Sequence, residues 1–195
     1  MDLALLAALV LVAYLVGSIP VSYILTRWTT GVELQKVGTK NVGIANTFQH
    51  APCWVGYISV LTDVLKVFTV LLAAQYWLGL GRDELYVLLA ALIIGNVFPV
   101  FLRFRGSKAR TITMWGLLWL APLATAVLLV LWSFLFFVTK NSRIGVGVAL
   151  AASPLLLFIV EGSWLIFGLA MALVVLLATQ NREQRDDFKY AGVGR

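Results

Sequence analysis

Apolar runs close to the length needed to cross a lipid bilayer recur along this 195-residue chain. A hydrocarbon core of about 30 Å takes about 20 apolar residues per helix. Inside lipid the backbone must satisfy its own hydrogen bonds, and a helix does this within one segment. Residues 3–26, 53–78, 85–101, 144–160 and 163–179 qualify. With 61% hydrophobic and 12% charged residues, too little polar surface is left to coat a soluble globule. The expected fold class is an all-α integral membrane protein, one domain covering 1–195. The N-terminus carries no positive n-region, and its apolar run exceeds the roughly 7–15 residues of a signal peptide, so it reads as a retained span.

The apolar stretch 112–139 is long for one crossing and short for two. Lys and Arg gather in cytoplasmic loops, which separates the alternatives. The basic clusters are Arg27/Lys36/Lys40, Arg103/Arg105/Lys108/Arg110, Lys140/Arg143 and Arg182/Arg185/Lys189/Arg195. If 112–139 crosses twice, or dips in and returns, all four clusters share one side. Thirteen of the 15 Lys and Arg residues are then cytoplasmic, with Lys66 and Arg82 the exceptions. Pro122 supplies the break. The expectation is seven transmembrane or partly re-entrant segments, N-terminus outside and C-terminus cytoplasmic. The net charge of +6 is thereby a topology signal, and no nucleic-acid partner is expected.

Four positive charges fall within Arg103-Phe-Arg-Gly-Ser-Lys-Ala-Arg110, at the foot of an apolar segment. A basic loop at a membrane face suits phosphate, and it suits insertion topology equally well. Asp63 and Lys66 interrupt the span 53–78. Ionisable groups at such depth face the bundle or water, and their spacing lets them pair on one helical face. The polar loop Gly38-Thr-Lys-Asn-Val-Gly-Ile-Ala-Asn-Thr-Phe-Gln49 offers hydroxyl, amide and ammonium groups beside two glycines, which can ring an anion or simply turn at the surface. Cys53 stands alone, so no internal disulfide is possible. His50, the sole histidine, has no metal-ligand spacing around it. No nucleophile–base pair assembles, and Gly106-Ser-Lys108 lacks the pattern of a P-loop. Neither metal nor cofactor is expected.

In order along the chain, Gly17-Ser-Ile-Pro20, Gly38-Thr-Lys-Asn-Val-Gly-Ile-Ala-Asn46, Asp63-Val-Leu-Lys66, Gly95-Asn-Val-Phe-Pro-Val-Phe101 and Arg103-Phe-Arg-Gly-Ser-Lys108 resemble the motifs of the bacterial acyl-phosphate:glycerol-3-phosphate acyltransferase family, PlsY. The resemblance implies seven spans with the N-terminus outside, in the bacterial cytoplasmic membrane. It also implies transfer of an acyl chain from acyl phosphate to the 1-hydroxyl of glycerol 3-phosphate. Both substrates are anionic, and a site that only orients them and stabilises developing charge requires no acyl-enzyme.

Carried over residue by residue, the resemblance makes Thr39 and Asn96 vestigial catalytic candidates, the first keeping a hydroxyl and the second standing where the family has histidine. Asn41, Asn46, Arg103, Arg105, Lys108 and Arg182 become phosphate- or substrate-binding candidates, and Asp63 with Lys66 a structural ion pair. Gln49 replaces an expected arginine, Val97 an asparagine, and Ser107 and Ala109 two glycines; of a C-terminal motif aligned at Asn181-Arg-Glu-Gln184, the arginine alone is kept. Loss of a guanidinium on phosphate costs on the order of 1.5–3 kcal/mol, and an absent acid or base typically about 10²–10⁴-fold in rate. The leading expectation is therefore a retained fold with an eroded site: an accessory, lipid-contacting protein of a membrane assembly, with membrane lipid and other membrane subunits as partners. The alternative is a working acyltransferase acting on acyl phosphate and glycerol 3-phosphate.

Overall fold

The computed structural model describes residues 2–182; the side chains at 142, 143 and 180–182 lie outside that description. The described chain is helical: α1 (Leu3–Ser18), α2 (Val21–Thr30), α3 (Ile44–His50), α4 (Cys53–Leu72), α5 (Arg82–Val97), α6 (Arg110–Leu120), α7 (Pro122–Thr139), α8 (Ser142–Glu161) and α9 (Trp164–Arg182). Five helical stretches are long and apolar enough to cross a membrane: Leu3–Thr30, Cys53–Trp77, Arg82–Leu102, Pro122–Thr139 and Ile144–Glu161. The apolar part of α9, Trp164–Thr179, is shorter. The all-α membrane class expected from hydropathy is what the chain adopts.

Local chemistry sets the ends of these helices. The Asp2 carboxylate accepts from the Ala4 amide and caps α1. The run expected as one span over 3–26 breaks at Ile19–Pro20, and α2 stops at Gly31, whose φ of +72° is the left-handed conformation that ends a helix. A side chain at Gly31 would meet nothing, so the residue serves backbone conformation alone. α4 runs on through a π-helical turn at Ala73–Trp77. Pro154 sits inside α8, where its missing N–H leaves the Leu150 carbonyl free. The Ser153 hydroxyl donates to that carbonyl at 2.8 Å and keeps the backbone satisfied.

α5 is the central helix, buried along most of its length from Leu85 to Val97. It packs on α1 through small residues. A Cβ on Gly17 would lie 2.3 Å from the Leu92 carbonyl oxygen, and one on Gly95 2.2 Å from that of Tyr14. This close backbone approach is how membrane helices associate where no hydrophobic difference drives them together. The Tyr14 hydroxyl donates to the Phe98 carbonyl at 2.9 Å and fastens the same pair.

The stretch 112–139 resolves into two unequal helices. α6 has 11 residues, about 16 Å of helix, and Pro122 opens α7 at its first turn, where a proline N–H is not needed. One end of the bundle is marked by Arg82, which donates to the Leu120 carbonyl that closes α6 and to both Glu161 oxygens at the end of α8. The Tyr86 hydroxyl donates to Glu161 at 3.0 Å. The other end holds Ser18, Lys66, Asn96 and Lys108, which line one cleft. α5 and α6 therefore run in opposite directions between the two ends, and α8 finishes at the Arg82 end.

A polar cleft meets an apolar chamber

The cleft, about 180 Å³, is framed by three helix starts. Val21 and Ser22 open α2, Ile44 and Ala45 open α3, and Arg110 and Thr111 open α6. The first turn of a helix leaves amide N–H groups without intrahelical partners and carries the positive end of the helix dipole. The first turns of the longer two, α2 and α6, at one cavity favour an anion. Lys66, Lys108 and Arg110 add three cations against one carboxylate, Asp63. That carboxylate is engaged: Lys66 Nζ stands 3.3 Å from it and donates to the Ile19 carbonyl at 2.6 Å.

The C-terminus of α5 reaches the same cleft and would bring the opposite sign. The loop after it removes that conflict. The Gly106 amide donates to the Val97 carbonyl and the Ser107 amide to the Asn96 carbonyl, both at 3.0 Å, so acceptors at the helix end are already taken. The approach is so close that a Cβ on Gly106 would lie 2.1 Å from the Asn96 carbonyl oxygen. Arg103, Phe104 and Ala109 all take positive φ to make this fold of the loop. Ala109 thus adopts the backbone that a glycine would take without strain.

The chain places the sequence candidates unequally. Asn41, Asn96, Lys108, Asp63 and Lys66 come together in the cleft lining. Asn41 is 5% exposed, and its Oδ1 has no hydrogen-bond partner, so a buried acceptor stands at the cleft wall. Thr39 is buried two residues away, its Oγ1 equally unpartnered, but it does not line the cavity. Asn46 bonds to the loop backbone instead. Its Oδ1 accepts from the Thr39 amide, and its Nδ2 donates to the carbonyls of Leu34, Val37 and Asn41. It organises the loop 34–41 and turns away from the cleft. Arg103 and Arg105 are exposed and do not line the cavity; the Arg105 carbonyl accepts from Gln35 and ties the two loops together. Arg182 closes α9; the side chains of Asn181 and Arg182, and residues 183 and 184 of the same alignment, lie outside the described residues. Among the described residues no three His, Cys, Asp or Glu gather as metal ligands.

Two features escaped the sequence reading. Arg110 belongs to the basic cluster but received no role, although it follows Lys108 by two residues and begins a helix. The second is an apolar chamber of about 390 Å³. Leu89 and Ile93 of α5, Met114 and Leu117 of α6, Leu128 of α7, Leu150 and Leu157 of α8 and Leu169 and Leu173 of α9 wall it. Lys108 and Arg110 line both cavities, so the two meet at these cations. From Ile166 to Leu177 the chamber follows α9 for about 16 Å along the bundle.

A cationic cleft joined to a long apolar chamber, within a helical membrane bundle, defines a class: integral membrane proteins whose cavities match an anionic head and a hydrocarbon tail. The profile described as glycerol-3-phosphate acyltransferase matches residues 7–186, and the chain belongs to that family. Glycerol-3-phosphate acyltransferase of Syntrophomonas wolfei is 33% identical over 181 residues, covering 92% of this chain and 91% of the relative. That of Anaeromyxobacter sp. is 33% identical over 190 residues, covering 93% and 92%. Among solved structures, the crystal structure of PlsY (YgiH), an integral membrane glycerol 3-phosphate acyltransferase in its glycerol 3-phosphate form, superposes with a TM-score of 0.77 at 26% identity, covering 91% of this chain and 88% of that one. The protein is accordingly a multi-pass protein of the bacterial cytoplasmic membrane.

Proposed function

We propose that this protein is an active acyl-phosphate:glycerol-3-phosphate acyltransferase, in preference to the eroded accessory subunit expected from its substitutions. The observation that carries the reading is the meeting of polar cleft and apolar chamber at Lys108 and Arg110. An acyl phosphate bridges such a junction, with its tail in the chamber and its phosphate between the two cations. The small phosphorylated acceptor occupies the cleft beside the first turns of α2 and α6. Asn41 Oδ1, buried and unpartnered, accepts from an acceptor hydroxyl.

In the transfer, the acceptor hydroxyl oxygen forms a bond to the acyl carbonyl carbon. The carbon–oxygen bond to phosphate breaks, inorganic phosphate leaves, and the hydroxyl proton departs with it. Holding two anions in line and stabilising the charge that moves onto phosphate suffices for rate enhancement without a covalent intermediate. The same reading takes seven crossings, N-terminus outside and cleft facing the cytoplasm. Its support is that the cleft end gathers the cations around Lys108, whereas Asp83, Glu84 and Glu161 stand at the Arg82 end.

The test is direct: purified protein in detergent or liposomes receives acyl phosphate and glycerol 3-phosphate, and acylated glycerol phosphate and inorganic phosphate are measured. Turnover is expected, and Lys108→Ala is expected to lower kcat/KM by about 10²-fold or more, the scale for removing a preorganised charge from a transferring group. Folded protein that binds both substrates yet yields no product would return the accessory reading to first place.

A further inference from the structure

The Ser107 hydroxyl occupies a position that decides what Asn96 offers to the cleft. It accepts from the Ala109 amide at 3.0 Å, so its single proton is free for another partner. That proton goes to Asn96 Oδ1. A serine hydroxyl has one proton and two lone pairs, whereas a primary amide has one acceptor oxygen and two N–H donors. With its oxygen held by Ser107, the Asn96 side chain lines the cleft with only its Nδ2 donors still to be used. The backbone reinforces the arrangement, because the Ser107 amide also donates to the Asn96 carbonyl at 3.0 Å. The two residues are joined twice, once through side chains and once through backbone. Asp63, Lys66, Lys108 and Arg110 are the charged groups around the same cleft, and a neutral N–H donor among them serves an oxygen-rich anionic ligand.

We infer that Ser107 is a positioning residue that locks the Asn96 amide with its nitrogen toward the cleft, where it donates to an oxygen of the bound phosphorylated acceptor. The inference rests on the proposed acyl transfer for the identity of that acceptor. Asn96 and Ser107 line the cleft and not the apolar chamber, so the lock acts on the acceptor and not on the acyl chain.

The experiment measures KM for each substrate separately, and glycerol 3-phosphate binding by calorimetry, in wild-type protein and in Ser107→Ala, Ser107→Thr and Asn96→Asp. Ser107→Ala is expected to weaken glycerol 3-phosphate about tenfold in both measurements, with KM for acyl phosphate unchanged. Ser107→Thr, which keeps the hydroxyl, restores it. Asn96→Asp, which cannot donate, weakens it at least as much, and adding Ser107→Ala to Asn96→Asp makes it no worse than Asn96→Asp alone. If both KM values move together, if neither moves, or if threonine fails to rescue, the positioning role is wrong. Wild-type protein that binds glycerol 3-phosphate in a Ser107-dependent way without turnover sinks the acyltransferase reading and leaves the lock standing. Wild-type protein that binds no glycerol 3-phosphate overturns both.

Discussion

At the scale of single residues, the cleft depends on positions where a carbon atom more or less changes the backbone. Gly106 and Gly31 illustrate two separate reasons for glycine. Gly31 has open space around it and a left-handed φ, so Gly31→Ala costs only the strain of that conformation, about 1–2 kcal/mol. Gly106 is crowded by the carbonyls of Asn96 and Val97 and by Pro99. Gly106→Ala must push the loop off α5, a cost of about 1–3 kcal/mol of overpacking, and it also moves Lys108. Thermal unfolding in detergent together with an activity assay separates the two. Gly31→Ala is expected to lower Tm with kcat/KM retained, whereas Gly106→Ala lowers both.

At the scale of elements, the short α6 is the piece that makes the two cavities meet. Its first turn supplies Arg110 and Thr111 to the cleft, and its side supplies Met114 and Leu117 to the chamber. Its far end would present unsatisfied carbonyls after only 11 residues, and Arg82 answers one of them at Leu120. Glu161, 8% exposed at its side chain, holds Arg82 in place, while Arg82 itself is half exposed. Because solvent screens the guanidinium, Glu161→Ala is expected to cost only about 1–2 kcal/mol. Its effect should appear as a lower Tm, with KM for glycerol 3-phosphate unaltered, since this clasp sits at the end of the bundle away from the cleft. A large rise in that KM would show that α6 transmits strain along its whole length.

For the molecule as a whole, the proposal depends on sidedness. The exposed positions Lys36, beside the Gln35 that is bonded to the Arg105 carbonyl, and Asp83, next to Arg82, make this measurable. In a Cys53→Ala background, since Cys53 is itself exposed, Lys36→Cys is expected to react with an impermeant maleimide only after the membrane is opened. Asp83→Cys is expected to react in intact spheroplasts. Labelling of both from one side would refute the placing of the two ends on opposite faces of the membrane. The reverse pattern would put the cleft outside, where a cytoplasmic acyl phosphate could not reach it.

Hydropathy and charge determined the class, the helical segments and the break at Pro122, because span length, capping and proline geometry are local properties written in consecutive residues. The split of 3–26 at Ile19–Pro20 and the brevity of α6 were less legible, since apolar composition alone does not say where a helix ends within lipid. The division of labour among polar residues was decided by tertiary structure. Asn41 and Asn46 are equivalent by composition, yet one lines the cleft and the other binds four neighbouring backbone groups. Arg103 and Arg110 belong to one basic cluster, yet positive φ at Arg103, Phe104 and Ala109 turns the loop so that only the later cations enter the cavity. Asn96 and Ser107, read singly as losses, sit bonded to one another. The chamber is lined by five helices from α5 to α9 and exists in no one of them. Direction into a cavity depends on loop dihedrals and on helix-to-helix distance, and neither is encoded by residue spacing alone.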